Sequence, residues 1–336
     1  MVLIALGGLM EGVFSLPIKF TPKWSWENIW GAGSLAALIL VPWPLAFATV
    51  PHLRDVYSAA PYSAIVLALL FGAGWGAGGI FLGLGISYVG LSLGMSLIMG
   101  LVAIGGSVIP LLLQHRDQLL RQSGVVLLGG IVIMLFGLFF CTKAGKLKST
   151  VDKSLSQNTN SSQTSFSIGL FYCVAAGLLS ALVNFALIYG MPIAAPAVVR
   201  GLNRVTANNA VWALVFTANY VVNFVYCIAV ATRKGTLHKF FAPSTSRYWL
   251  SATMMGLLWA GGIVVYGWGA TILGAYGAIF GFPVMLIISI LAGNVAGAVS
   301  GEWATAPSTA KRVMTLGVSV MALAIIVLGY SDYLIK

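Results

Sequence analysis

Charge is what this chain of 336 residues lacks most: 7% of its residues are charged, against 59% hydrophobic, and mean hydropathy is +0.97. A water-soluble domain of that length needs a far more polar surface, so the composition excludes one and points to a polytopic membrane protein. Cysteine is scarce too. Cys141, Cys173 and Cys227 all lie in apolar runs without metal-ligand spacing, which reads as core packing rather than disulfides or a metal site. His52, His115 and His238 fall in loops or at the ends of apolar runs, so no intramembrane Ser/His/Asp set can form. HExxH, P-loop and GxSxG motifs are missing as well. The expectation is therefore no enzyme, no metal and no cofactor. The net charge of +11 comes from basic residues scattered singly or in pairs, with no basic face and no interleaved stacking aromatics. That pattern argues against nucleic acid and for membrane topology.

What is present is long apolar runs. Ten of them have the length of about 17 to 25 residues that spans a bilayer as helix. They cover about 1–18, 29–49, 64–86, 90–113, 124–142, 167–190, 209–231, 248–269, 272–300 and 312–334. The first begins at Met1, lacks a basic n-region, carries Glu11 at its centre and shows no small-residue cleavage site before Pro17. It reads as a retained helix rather than a signal peptide. The longest hydrophilic stretch starts at Lys143 and is rich in Ser, Asn and Gln. It divides the chain into a first five-helix repeat (1–142), a polar cytoplasmic linker (143–166) and a second five-helix repeat (167–336). An odd number of spans per half makes the second enter from the opposite side. The predicted fold is all-α, with ten transmembrane helices in two inverted repeats.

One stretch supports that duplication directly. Residues 72–90, GAGWGAGGIFLGLGISYVG, lie over residues 256–274, GLLWAGGIVVYGWGATILG, at an offset of 184. Trp75 then meets Trp259, and Gly72, Gly78, Gly83, Gly85 and Gly90 meet Gly256, Gly262, Gly267, Gly269 and Gly274. Glycines at GxxxG spacing, as at Gly72/Gly76, Gly90/Gly94 and Gly293/Gly297, suit helices packed backbone to backbone. Pro17, Pro42, Pro44, Pro110 and Pro283 lie within or at the ends of runs, where a missing N–H kinks the helix or frees a carbonyl.

Lysine and arginine sort by loop. The loops after spans 1, 3, 5, 7 and 9 hold twelve, and the remaining loops with Lys336 hold six. The positive-inside rule places the odd loops in the cytoplasm and both termini outside. Trp24, Trp26 and Trp30 beside Lys19 and Lys23 read as an interfacial anchor.

Of seven acidic residues, Asp55, Asp117 and Asp152 fall in loops, and Glu27, Glu302 and Asp332 near helix ends where water is close. Only Glu11 sits deep in a span. An ionised carboxylate there costs at least a few kcal/mol, so the side chain must face a polar cavity, find a donor or carry a proton. Glu11 is the candidate proton-coupling carboxyl, against the plainer reading of a glutamate snorkelling to water at the end of a short first helix. Uncharged polar groups inside spans are Asn184, Asn219, Asn223 and Asn294. Amides donate and accept, as a polyol does, although interhelical hydrogen bonding accounts for any single one equally well. Trp75, Trp259, Tyr266 and Tyr276 lie on or beside the duplicated stretch and offer ring faces to a sugar, or ordinary packing.

The combination of Pro17-Ile18-Lys19, Lys23-Trp24-Ser25-Trp26-Glu27 and Trp30 with Gly72-Ala73, Trp75-Gly76 and Gly83 through Gly90 resembles the bacterial L-rhamnose:proton symporter family of the drug/metabolite transporter superfamily. Ala144-Gly145, Leu147-Lys148, Gly256-Leu257, Trp259, Tyr266, Trp268-Gly269 and Glu302-Trp303 extend the resemblance over nearly the whole chain. It implies a ten-helix inner-membrane carrier that imports a deoxyhexose with a proton. The chain departs from the family pattern at Gly79, Phe81, Leu82 and Gly262, where the resemblance implies Asn, Tyr or Gln, and Glu11 is not part of that pattern.

The expected function is proton-coupled uptake of L-rhamnose or a related deoxyhexose by alternating access. Glu11 would couple the proton, and Trp75, Asn184, Trp259, Tyr266, Asn219 and Asn223 would bind the sugar. The expected partners are sugar, protons and the lipid bilayer, with no nucleic acid. The alternative is a proton-coupled exporter of lipophilic or cationic compounds, because small multidrug carriers of the same superfamily hold a glutamate in their first helix. A non-transporting scaffold or receptor would need a partner surface larger than these short loops supply.

Overall fold

The computed structural model describes residues 1–153, 163–274, 276–301 and 303–334. Ten helices are long and apolar enough to cross a membrane: α1 Val2–Phe20, α2 Trp26–Thr49, α3 Tyr62–Val89, α4 Leu93–Leu113, α5 Gln122–Lys148, α6 Phe166–Val199, α7 Arg204–Arg233, α8 Ser246–Ile272, α9 Gly277–Val299 and α10 Ser308–Ser331. The ten expected runs are these ten helices. The largest difference is α6, which continues past the expected end at 190 as the helical segment Met191–Val199. Pro192 sits in the first turn of that segment, where its missing N–H costs no helical bond. The helix of α5 runs on to Lys153 and that of α6 begins at Gln163. The centre of the expected linker, at 154–162, lies outside the described residues, as do Glu302 and Lys336.

The offset of 184 recurs in the helix bounds. It separates the starts of α3 and α8 (62 and 246) and the ends of α2 and α7 (49 and 233). Gly90 and Gly274, both just past the helix they end, have φ of +87° and +85°. A side chain is strained in that region, so glycine is what lets the chain turn back there.

Two prolines are accommodated by the same device. A π-helical turn, Ala36–Leu40, precedes Pro42, and another, Ile104–Val108, precedes Pro110. The carbonyl four positions before each proline, of Leu38 or Gly106, lies inside the widened turn, which relieves the ring's clash with it.

The chain forms two compact units, each drawn from both halves of the sequence: Met1–Ala77 with Leu182–Ala278, and Gly78–Ala181 with Ile279–Lys336. In the second, α5 and α10 pack along a glycine seam. Gly317 lies against Cys141 and the Gly137 carbonyl, Gly130 lies against Leu328, and Ser331 donates to the Ser123 carbonyl at 2.7 Å. Gly85 lies on Cys173, Gly177 on Leu101, and Ser96 pairs with Thr142. In the first unit α1 runs antiparallel to α8, with Ile4 against Gly269 and Gly7 against Gly262 and Tyr266. In hydrocarbon no hydrophobic force drives helices together, so this close backbone approach supplies the packing energy.

Candidate functional site

Four residues at positions 212, 216, 219 and 223 of α7 share one helix face by their spacing: Trp212, Phe216, Asn219 and Asn223. Opposite them, α3 brings Trp75. A Cβ on Gly72 would run into the Val215 carbonyl oxygen, and one on Gly76 would stand 3.0 Å from the Asn219 carbonyl. Only glycines at these two positions let α3 lie this close to α7, and Trp75 between them is carried onto Phe216.

The rings form a continuous series. Trp75 is 5.5 Å from Phe216 and 5.2 Å from Trp259 of α8. Trp259 is 5.5 Å from Trp30 of α2, edge to face at 70°. Phe216 is 5.4 Å from Trp212. At one end the amides close on the rings: Trp30 Nε1 donates to Asn223 Oδ1 at 2.7 Å, and Asn223 Nδ2 donates to Asn219 Oδ1 at 2.7 Å and to its carbonyl at 3.1 Å. Trp259 and Trp30 remain half-buried, whereas Asn219 and Asn223 are buried. At the other end the Trp212 Nε1–H is buried without an acceptor among the described residues, its ring flat against Gly267.

Glu11 reaches the same α8. A Cβ on Gly262 would stand 3.1 Å from Glu11 Cγ and 2.9 Å from the Gly7 carbonyl, so glycine at 262 is what admits the glutamate. Gly262 is one turn from Trp259 on α8. Glu11 is half-buried as a residue, but its Oε1 is buried and has no hydrogen-bond partner among the described residues. No ion pair compensates it there.

Of the expected binding residues, Trp75, Trp259, Asn219 and Asn223 thus come together, and Asn184 and Tyr266 form a separate pair. The Tyr266 hydroxyl donates to Asn184 Oδ1 at 2.6 Å, and Asn184 Nδ2 donates to the Ala278 carbonyl at 3.1 Å. Both are fully buried. They tie α6 and α8 to the segment leading into α9. Of the positions that depart from the family pattern, Gly79 faces open space and Phe81 packs 5.5 Å from Tyr172.

Two expectations need correcting. Glu27 is not near water: its carboxylate is fully buried, accepting from Thr236 Oγ1 at 2.9 Å and Lys234 Nζ at 3.3 Å. Nor is Trp24 an interfacial anchor. Trp24 is 5% exposed, packs against Phe240, Tyr248 and Trp249, and donates from Nε1 to the Lys239 carbonyl at 3.1 Å. Asn28 Nδ2 donates to the Thr236 carbonyl at 3.0 Å, and Lys239 Nζ to Ser25 Oγ at 3.0 Å. The Lys23–Glu27 motif is therefore a fastener between the start of α2 and the segment that follows α7. Trp30, one turn on, is a ring of the site that sequence reasoning missed. The signal was there, since its spacing from Trp26 puts it on the same face of α2.

Ten apolar helices among the described residues make this a multi-pass membrane protein. A family model described as L-rhamnose-proton symport protein (RhaT) matches residues 2–332, and the chain belongs to that family. It is 27% identical over 331 residues to proteins named L-rhamnose-proton symporter from Escherichia coli (strain 55989 / EAEC) and from Shigella boydii serotype 18 (strain CDC 3083-94 / BS512). Each match covers 96% of this chain and 95% of the relative. The chain is thus a multi-pass inner-membrane protein of the drug/metabolite transporter superfamily that moves a small molecule with protons, and not an enzyme.

Proposed function

We propose that the chain imports L-rhamnose or a related deoxyhexose together with a proton by alternating access. The observation that carries this reading is Glu11 Oε1, buried without a hydrogen-bond partner among the described residues and lying against Gly262, one turn from Trp259, in a chain of the rhamnose-proton family. A carboxylate left so in low dielectric is neutralised most cheaply by a proton. The sugar binds against the faces of Trp75 and Trp259, with Trp30 beside them, and exchanges hydrogen bonds with Asn219 and Asn223. Protonation of Glu11 and sugar binding each favour the other, which is all that coupling requires. Asn184 and Tyr266 hold helices in register rather than touch sugar. The two five-helix repeats are inverted in this reading, with the odd loops cytoplasmic and both termini outside.

One observation favours the second reading, export of a lipophilic cation. The amides of Asn219 and Asn223 are already bonded within the cluster, which leaves ring faces and one carboxyl as the free chemistry, an arrangement that suits a cation. Uptake of radiolabelled L-rhamnose into proteoliposomes under an inward proton gradient separates the two, with unlabelled sugars and lipophilic cations as competitors. Sugar uptake blocked by sugars supports symport. A gradient dissipated by cations, with rhamnose ignored, supports export.

A further inference from the structure

The last turns of α6 carry a feature that transport does not use. A groove of about 520 Å³ runs along Met191, Ala195, Val198 and Val199 and ends at Arg204 and Asn208. Val199 is 88% and Met191 41% exposed, so the groove is open at the C-terminal end of α6. Around the following turn, a smaller cavity of about 270 Å³ is lined by Arg200 and by His52 of the segment before α3. Neither arginine is ion-paired with a carboxylate among the described residues, and Asp55, the nearest acid in sequence to His52, bonds to neither. Asn208 is held in place at the groove's end by its Nδ2 bond to Thr271 Oγ1 at 2.9 Å.

We propose that this groove is a binding site for an anionic phospholipid, its phosphate on Arg204 and an acyl chain along Ala195, Val198 and Val199. The charge and the apolar lining select for the same molecule. A soluble anion has no use for the groove, and a zwitterionic lipid brings an ammonium to the same end as the Arg204 guanidinium. A guanidinium holds phosphate through paired N–H donors, and Arg204 is exposed at the apolar lining where it can do so. The Asn208 side chain adds a polar lining for headgroup hydroxyls.

The test uses the whole chain in neutral detergent, by native mass spectrometry and by thermal unfolding. Phosphatidylglycerol, phosphatidylcholine and glycerol 3-phosphate are titrated separately. Two variants divide the site: Arg204→Gln removes the charge, and Ala195→Trp fills the groove. The expected result is retention of phosphatidylglycerol with a raised unfolding temperature, and neither effect with the other two compounds. Each variant weakens the binding by roughly tenfold, the effect of losing one charge-assisted contact or the chain's place, while rhamnose transport persists. Equal effects of phosphatidylcholine and phosphatidylglycerol, an equal shift with glycerol 3-phosphate, or undiminished binding in both variants would overturn it. Because transport is read separately, failure here leaves the symport reading standing.

Discussion

Glu11 and Glu27 lie in the same helical unit and both carry buried carboxyl oxygens, yet their surroundings are opposite. Glu27 has a threonine hydroxyl, a lysine ammonium and the neighbouring fastener of Trp24, Ser25 and Asn28. Glu11 has the backbone of α8 and no donor at Oε1. A compensated buried charge fixes structure, because breaking it leaves a partner stranded. An uncompensated one is free to exchange its proton, because no neighbouring charge holds it in one state. The family motif falls on the first kind and the proposed coupling carboxyl on the second.

The comparison is broken most directly by removing each carboxylate. Glu11→Gln should reduce gradient-driven accumulation by roughly 5- to 150-fold, the span of ordinary coupling energies, with the unfolding temperature in detergent unchanged or raised. Glu27→Ala should do the reverse. It should cost about 2–3 kcal/mol of stability by stranding Thr236 and Lys234, while the pH dependence of uptake in the folded fraction stays as in wild type. Lys234→Ala leaves the buried Glu27 carboxylate with Thr236 as a donor but without its ammonium, and should cost about 1–3 kcal/mol.

A second pair sharpens the role of Gly262. Gly262→Leu drives a side chain into the Gly7 carbonyl and Glu11, and should cost about 1–3 kcal/mol along with transport. Gly79→Leu enters open space and should unfold like wild type. Tyr266→Phe should cost about 1 kcal/mol for one lost buried hydrogen bond, measured by thermal unfolding and with KM for the sugar unmoved. A raised KM there would put Tyr266 back among the binding residues.

The ten helices were legible because hydrocarbon imposes its own length on apolar runs, and the turns at Gly90 and Gly274 because only glycine adopts their φ readily. The far end of α6 was not: the helix is interrupted at Gly190, where the expected run ends, and resumes as Met191–Val199 with Pro192 in its first turn. Glu11, Trp75 and Trp259 could be picked out by depth and repeat position. The burial of Glu27 and Trp24 could not. Their partners, Thr236, Lys234 and Lys239, are more than 200 positions away in sequence, and no local pattern announces them. Asn184 and Tyr266 looked like binding groups for the same reason. An amide that bonds to a protein hydroxyl and one that bonds to a sugar hydroxyl read alike until the partner is seen.

The central claim is that the uncompensated carboxyl carries the proton. It is tested by comparing wild type with Glu11→Gln in proteoliposomes for two readings of the same radiolabelled L-rhamnose: exchange against internal unlabelled sugar, and accumulation driven by an inward proton gradient. Exchange preserved and independent of pH in the variant, with driven accumulation lost, is the predicted result. Driven accumulation that survives Glu11→Gln with its pH dependence intact would contradict the account and place the coupling elsewhere.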